Sequence, residues 1–181
     1  MVWTKDEHDL ANPIKQFPNK PYAKIICDLW YDEPLLLVPK SRQLMATWLF
    51  VSCYLWDTQF GQGRLNFFQS KKEEDADRVV QRAWFVYEHQ PDWIKAMFPA
   101  EYTYCHIKFK KGDSEIWGVP QGGDQIRSHT ASGIFSDEMA FQPDAEDTYS
   151  GAKPTIDGGG RFTGVSSANP GFFQFLIENK L

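Results

Sequence analysis

Cysteine is scarce in this 181-residue chain, and the three that occur, Cys27, Cys53 and Cys105, are widely spaced and form no CxxC pair. Neither a disulfide framework nor a zinc site is expected, and a reducing compartment fits best. The four histidines, His8, His89, His106 and His129, show no metal-ligand spacing. A basic excess is also missing: the net charge is -5 and the isoelectric point is near 5.4. That balance excludes a surface built for autonomous binding to nucleic-acid phosphate, so any such contact must be local or shared with partners. The longest apolar run begins at Trp48, is interrupted by Ser52 and ends near Asp57, well short of the ~20 residues that span a bilayer. Lys5, Asp6, Glu7 and His8 leave no room for a secretion signal's apolar stretch. No internal repeat or low-complexity tract occurs. These absences describe a protein of the cytoplasm without a membrane anchor.

What is present is core material. Hydrophobic residues make up 42% of the chain and aromatic ones 15%, enough for one compact domain. Residues 1–21 read as an extended N-terminal segment, since Asn12 to Pro21 holds three prolines; residues 22–181 form the domain. Tyr22 to Glu33 suits an amphipathic helix with Ile25, Ile26 and Leu29 inward. Leu35-Leu36-Leu37-Val38 is the pattern of a strand buried on both faces of a parallel sheet. A helix follows from Ala46 or Thr47 to about Asp57. Leu65 to Gln69 reads as the next strand, with Ser70 and Glu73 in capping-box spacing before a helix whose inner stripe is Ala76, Val79, Val80, Ala83 and Tyr87. Pro91 stops that helix. Tyr104 to Phe109 and Glu115 to Val119 form a hairpin. Ile134-Phe135 and Phe162 to Val165 are two further strands. Trp84, Phe85, Tyr87, Trp93 and Phe98 read as core packing beside the helix. The succession predicts an α/β fold with a mainly parallel central sheet flanked by helices.

Two segments carry chemistry. Lys40-Ser41-Arg42-Gln43-Leu44-Met45-Ala46-Thr47 links a strand to an apolar helix, the architecture in which backbone N–H groups, a basic side chain and a hydroxyl hold phosphate and its metal. Against GxxxxGK[ST] this octet keeps only its final Thr; both glycines and the usual lysine position, here Ala46, are replaced. Downstream, Ile134-Phe135 leads into Asp137 and Glu138, adjacent carboxylates at a strand end. The first suits a magnesium shell and the second a water to be polarised.

These residues resemble a family, the ATPase domain of the large terminase subunit of tailed bacteriophages, with its deviant Walker A loop. One variant of that loop carries Ser-Arg-Gln and places its lysine first, as Lys40-Ser41-Arg42-Gln43 does. The resemblance implies a P-loop NTPase fold of the ASCE, RecA-like kind. It implies ATP bound by Lys40 through Thr47, Mg2+ held by Thr47 and Asp137 of a Walker B pair, and Glu138 as the catalytic carboxylate. Tyr22 falls where the family places an adenine-contacting aromatic, with Gln16 and Phe17 as neighbours. Arg127, ten residues before Asp137, resembles the family's arginine finger, which completes a neighbouring subunit's site. Arg42 is its rival, and Arg127 is preferred across an interface. Gly164-Val165-Ser166-Ser167-Ala168-Asn169-Pro170 resembles the coupling motif, with Ser166, Ser167 and Asn169 sensing the γ phosphate.

The function so implied is ATP hydrolysis driving duplex DNA into a procapsid. Its partners would be the portal protein and the small terminase subunit, in a homo-oligomeric ring formed in the host cytoplasm and transiently docked on the portal. Family members continue into a nuclease domain, whereas ten residues follow Gly171, so no nuclease activity is expected of this chain. A helicase-like translocase would share the nucleotide site but need a second RecA-like domain. A non-hydrolysing nucleotide-binding scaffold of virion assembly would have little need of Glu138.

Overall fold

Wherever the chain runs through adjacent large apolar residues, it is crossing a sheet covered on both faces. Phe67 and Phe68 in one strand, and Ile134 and Phe135 in another, point to opposite sides, and all four are fully buried. The computed structural model describes residues 2–6, 9–41 and 44–179.

A short antiparallel ribbon of β1 (Trp3–Lys5) and β2 (Ile14–Gln16) comes first, where the sequence suggested only an extended segment. The elements that follow are α1 (Pro21–Asp32), β3 (Leu35–Pro39), α2 (Ala46–Phe60), β4 (Leu65–Ser70), α3 (Glu73–Glu88), α4 (Asp92–Met97), β5 (Ala100–Thr103), β6 (His106–Phe109) and β7 (Ser114–Pro120). Then come α5 (Asp124–Arg127), β8 (Gly133–Asp137), α6 (Ala145–Asp157), β9 (Arg161–Ser166) and α7 (Phe172–Asn179). The main sheet has the order β3-β9-β8-β4-β7-β6-β5. Its first five strands are parallel, and β6 and β5 extend it antiparallel.

One face packs Phe50, Tyr54 and Leu55 of α2 and Val79, Val80 and Ala83 of α3 against Phe68, Phe135 and Val165. The other packs Tyr149 and Ala152 of α6 and Phe173 and Leu176 of α7 against Phe67, Ile134 and Phe162. Tyr54 crosses between layers: its hydroxyl lies 2.9 Å from both the Ile134 carbonyl and Thr163 Oγ1. At Gly164 in β9 an added Cβ would stand 2.8 Å from Met139 Sδ and 2.9 Å from Leu37 Cδ2, so any side chain there requires those two to shift.

Several expectations are corrected. On α1, Ile25 and Leu29 face outward, 59% and 44% exposed, while Trp30 is buried and Ile26 half-buried. The inward stripe is therefore one position away from the one expected. β3 lies at the sheet edge and is half-buried, because only β9 pairs with it among the described residues. Ser70 ends β4 and caps nothing; Lys72 occupies the N-cap of α3 without a side-chain bond, and Glu73, Glu74 and Asp75 stabilise the first turn through the helix dipole instead. The hairpin begins at His106, since Cys105 turns the chain in a left-handed conformation (φ 56°). Trp93 is 65% exposed rather than core, whereas Trp84 stacks on Tyr87 and Tyr102.

Candidate functional site

The parallel register decides which residues meet. Pro39 pairs with Ser166, and Val165 with Asp137, so β3, β9 and β8 end at one level and release Lys40, Ser167 and Glu138 side by side. Carboxyl ends of parallel strands are where α/β sheets bind ligands.

Lys40, at the end of β3, extends its amino group to 2.7 Å from Glu138 Oε1, and its side chain is only 10% exposed. Its backbone N–H donates to the Ser166 carbonyl at 2.9 Å, which fixes the loop's first residue to β9. At the other end of the loop Met45 is left-handed (φ 52°) and α2 begins without a side-chain cap, leaving first-turn N–H groups for an anion. Thr47, in that first turn, donates its hydroxyl to Asp137 Oδ1 at 2.9 Å. Ser41 is exposed, Leu44 39% exposed and Ala46 buried. Arg42 and Gln43 lie outside the described residues.

Asp137 is buried, and burial holds its carboxyl above the ordinary carboxylate range; the Thr47 hydrogen bond and the charges of Arg82 and Lys40 oppose that rise, while Glu138 adds to it. A buried carboxylate beside a hydroxyl on a helix N-terminal turn is an oxygen pair suited to a hard divalent cation. Glu138 is itself left-handed (φ 51°), a conformation that costs a non-glycine residue of order 1–3 kcal/mol and that clusters at functional sites. Its Oε2 accepts the Ser167 N–H at 3.3 Å and the Ser166 hydroxyl at 3.4 Å. Asn169 donates to the Ala140 carbonyl at 2.8 Å, and Ser166 Oγ accepts from the Ala140 N–H at 3.1 Å. All three candidate coupling residues thus hold the turn that carries Glu138.

Two cavities flank Lys40. One, of about 560 Å³, is lined by Lys40, Lys71, Arg78, Arg82, Asp137, Glu138 and Ser167. The other, of about 660 Å³, runs along the loop past Lys40, Leu44, Met45, Ala46 and Thr47 to Gln16, and includes Arg82. Tyr22 supports this second space from behind, its hydroxyl donating to the Leu44 carbonyl at 3.2 Å. Phe17 is not brought here; it lines a separate cavity between α1 and α2.

Arg82 borders both cavities, its guanidinium 5.8 Å from the Trp48 ring centre, and it was not singled out from the sequence. The available signal was its spacing of four from Arg78 on α3, which sets both cations on one helix face. Arg127 stands apart. It follows β7, separated from β8 by β4, borders neither cavity, and its guanidinium binds the Asp147 carboxylate at 2.5 Å with Asp124 at 3.6 Å. Among the described residues no cluster of three or more His, Cys, Asp or Glu forms a metal centre, and no helix is long and apolar enough to cross a membrane.

No protein-family model and no curated protein matches this sequence. Solved structures do. The large terminase of bacteriophage HK97 superposes with a TM-score of 0.71 at 15% identity, over 92% of this chain and 38% of that one. The large terminase of the thermophilic bacteriophage D6E in complex with ADP gives 0.61 at 14% identity, over 84% and 39%. The N-terminal domain of the DNA packaging ATPase from bacteriophage phi29 gives 0.56 at 15% identity, over 84% and 82%. The fold is therefore that of phage terminase ATPase domains, a P-loop NTPase fold, and the chain spans about two fifths of the length of the D6E and HK97 large terminases it matches.

Proposed function

We propose that this chain is the ATP-hydrolysing part of a viral DNA-packaging motor. The observation that carries the reading is the pairing of Lys40 with Glu138 and of Thr47 with Asp137 across three adjacent strand ends. Structure neighbours that bind ADP and ATP-γ-S in the same fold support the choice of nucleotide.

Each residue has a task in this reading. Nucleotide phosphates would lie over the first turn of α2, whose N-cap Met45 makes no side-chain cap hydrogen bond. The Lys40 amino group leaves Glu138 for the β and γ phosphates and so stands in for the lysine missing at Ala46. Thr47 and Asp137 would hold Mg2+, which would supply neutralisation of phosphate charge. Glu138, released on one side and still held through Oε2 by Ser166 and Ser167, orients a water and takes its proton. Arg82 adds positive charge from within the same chain. Gln16 lines the space left for the base, and Tyr22 holds the Leu44 carbonyl that borders it.

Arg127 is exposed in the segment that follows the carboxyl end of β7, where it suits a site on a neighbouring subunit. A ring of copies would then complete each site in trans, translocate duplex DNA, and dock on the portal with the small subunit in the host cytoplasm. The mutual hold of Lys40 and Glu138 favours hydrolysis over a scaffold role, since a scaffold has no use for a tethered water-polarising carboxylate.

The test is Mg2+-dependent ATP turnover of the full chain against its concentration, for wild type, Glu138→Gln and Arg127→Ala. Turnover rising faster than linearly, with Glu138→Gln lower by roughly 10²- to 10⁴-fold while nucleotide still binds, is the expected outcome. Absence of nucleotide binding at every concentration refutes the phosphate-loop assignment.

A further inference from the structure

Outside the nucleotide site, the fold joins two cysteines that the sequence keeps 26 residues apart: Cys27 Sγ on α1 lies 3.7 Å from Cys53 Sγ on α2. Both are free thiols. The pair is reachable, since both residues line a cavity of about 620 Å³ whose mouth also carries Lys24, Asp28, Tyr31 and Trp56. The helices matter for what lies between them. α1 carries Tyr22, which holds the Leu44 carbonyl of the phosphate loop, and α2 begins where that loop ends.

We propose that Cys27 and Cys53 form a reversible disulfide, a redox-controlled staple between α1 and α2 that is closed by a small-molecule disulfide such as oxidised glutathione. The Cys27 sulfur attacks one sulfur of the glutathione disulfide as a thiolate, forming a mixed disulfide and expelling one glutathione thiolate. Cys53 then loses its proton and attacks the Cys27 sulfur, forming the intramolecular bond and expelling the second glutathione. Two protein thiols are oxidised, one glutathione disulfide is reduced to two thiols, and the two protons pass to the expelled thiolates.

The division of labour follows from the surroundings. The hydrogen bond from Cys53 draws the Cys27 thiol down to about 7, which makes it the attacking group. The same contact, together with burial, pushes the Cys53 thiol up, so it acts second, once a disulfide lies beside it. Cys105 supplies an internal control: burial pushes its thiol up to about 11, and its sulfur contacts the Glu73 carbonyl rather than another thiol.

The experiment exposes the full chain to oxidised glutathione, then maps peptides by mass before and after dithiothreitol. The expected product lacks two hydrogens, links the Cys27 and Cys53 peptides, leaves Cys105 titratable, and reverts on reduction. Cys105→Ser retains the bond; Cys27→Ser and Cys53→Ser abolish it. The wild-type Tm rises by several degrees on oxidation, and the rise is lost in the last two variants. A glutathione adduct that persists on Cys27, a link involving Cys105, or three thiols still titratable would each overturn the proposal. The outcome is independent of whether the chain binds nucleotide.

Discussion

Lys40, the first residue of the loop proposed to bind phosphate, and Glu138, the second member of the acidic pair, are 98 residues apart in the chain and 2.7 Å apart in the fold. Replacing Lys40 by Ala should lower nucleotide affinity ~10- to 100-fold, the effect of losing a charge-assisted hydrogen bond worth ~1.5–3 kcal/mol. Titration calorimetry with ADP and Mg2+ measures it. An unchanged Kd would make the loop a structural connection only.

The two arginines that face different neighbours should separate in their kinetics. Arg82→Ala, which removes charge from both cavities, is expected to weaken nucleotide binding about 3- to 10-fold at any protein concentration, the ~0.5–1.5 kcal/mol typical of a single hydrogen bond. Arg127→Ala should leave the Kd nearly unchanged and lower only the turnover that depends on assembly, by as much as ~10³-fold. Equal loss of binding in both variants would contradict a role for Arg127 in trans.

That Lys40, Thr47, Asp137 and Glu138 would meet was legible beforehand, because the loop after β3 and the acidic pair after β8 are local: each is a few residues read directly after an apolar strand. The placing of Ser166, Ser167 and Asn169 at a strand end was legible for the same reason. Arg82 was not, since its relevance depends on α3 packing beside α2 so that a helix face reaches the strand ends. The edge position of β3 was hidden for another reason. A short run of leucines looks alike in the middle and at the margin of a sheet, and pairing partners 127 residues away, such as Leu35 and Phe162, leave no mark on it. The helix over Ala145–Asp157 escaped because Gly151 and Pro154 lie inside it and read as breakers. The inward stripe of α1 was misjudged because Ile25 and Leu29 are more apolar than the Ala23 and Cys27 that actually turn in.

Acid should weaken the β6–β7 pairing around Glu115. Burial raises the Glu115 carboxyl, but hydrogen bonds from Lys108, Trp117 and His106 overcome this and leave it below the ordinary range. A depressed folded value means that the stabilisation is present above the unfolded value, about 4.3, and is lost as pH falls through the folded one. Glu115→Gln should therefore lower Tm at pH 7, and the gap to wild type should close below about pH 4. Thermal scans across that range decide it; a constant gap would mean packing rather than charge.

At Gly164 the expected penalty is steric. An added methyl meets Met139 Sδ at 2.8 Å and Leu37 Cδ2 at 2.9 Å, so Gly164→Ala should destabilise by ~1–3 kcal/mol, a Tm loss of several degrees. It should also disturb the turn that carries Glu138, so turnover should fall more than binding. A variant with wild-type Tm would show that Met139 yields.

The marginal place of β3 has a mechanical side. Among the described residues, the strand that leads into Lys40 is tied to the sheet by one parallel ladder, five residues from Leu35 to Pro39 paired with Phe162 to Ser166 and continued by the Lys40 amide. A pull on the loop along the strand axis loads these cross-strand bonds together, in shear, instead of peeling them one after another. Force entering at the loop after β3 therefore passes into β9, the strand whose end holds Glu138, before it reaches the rest of the sheet.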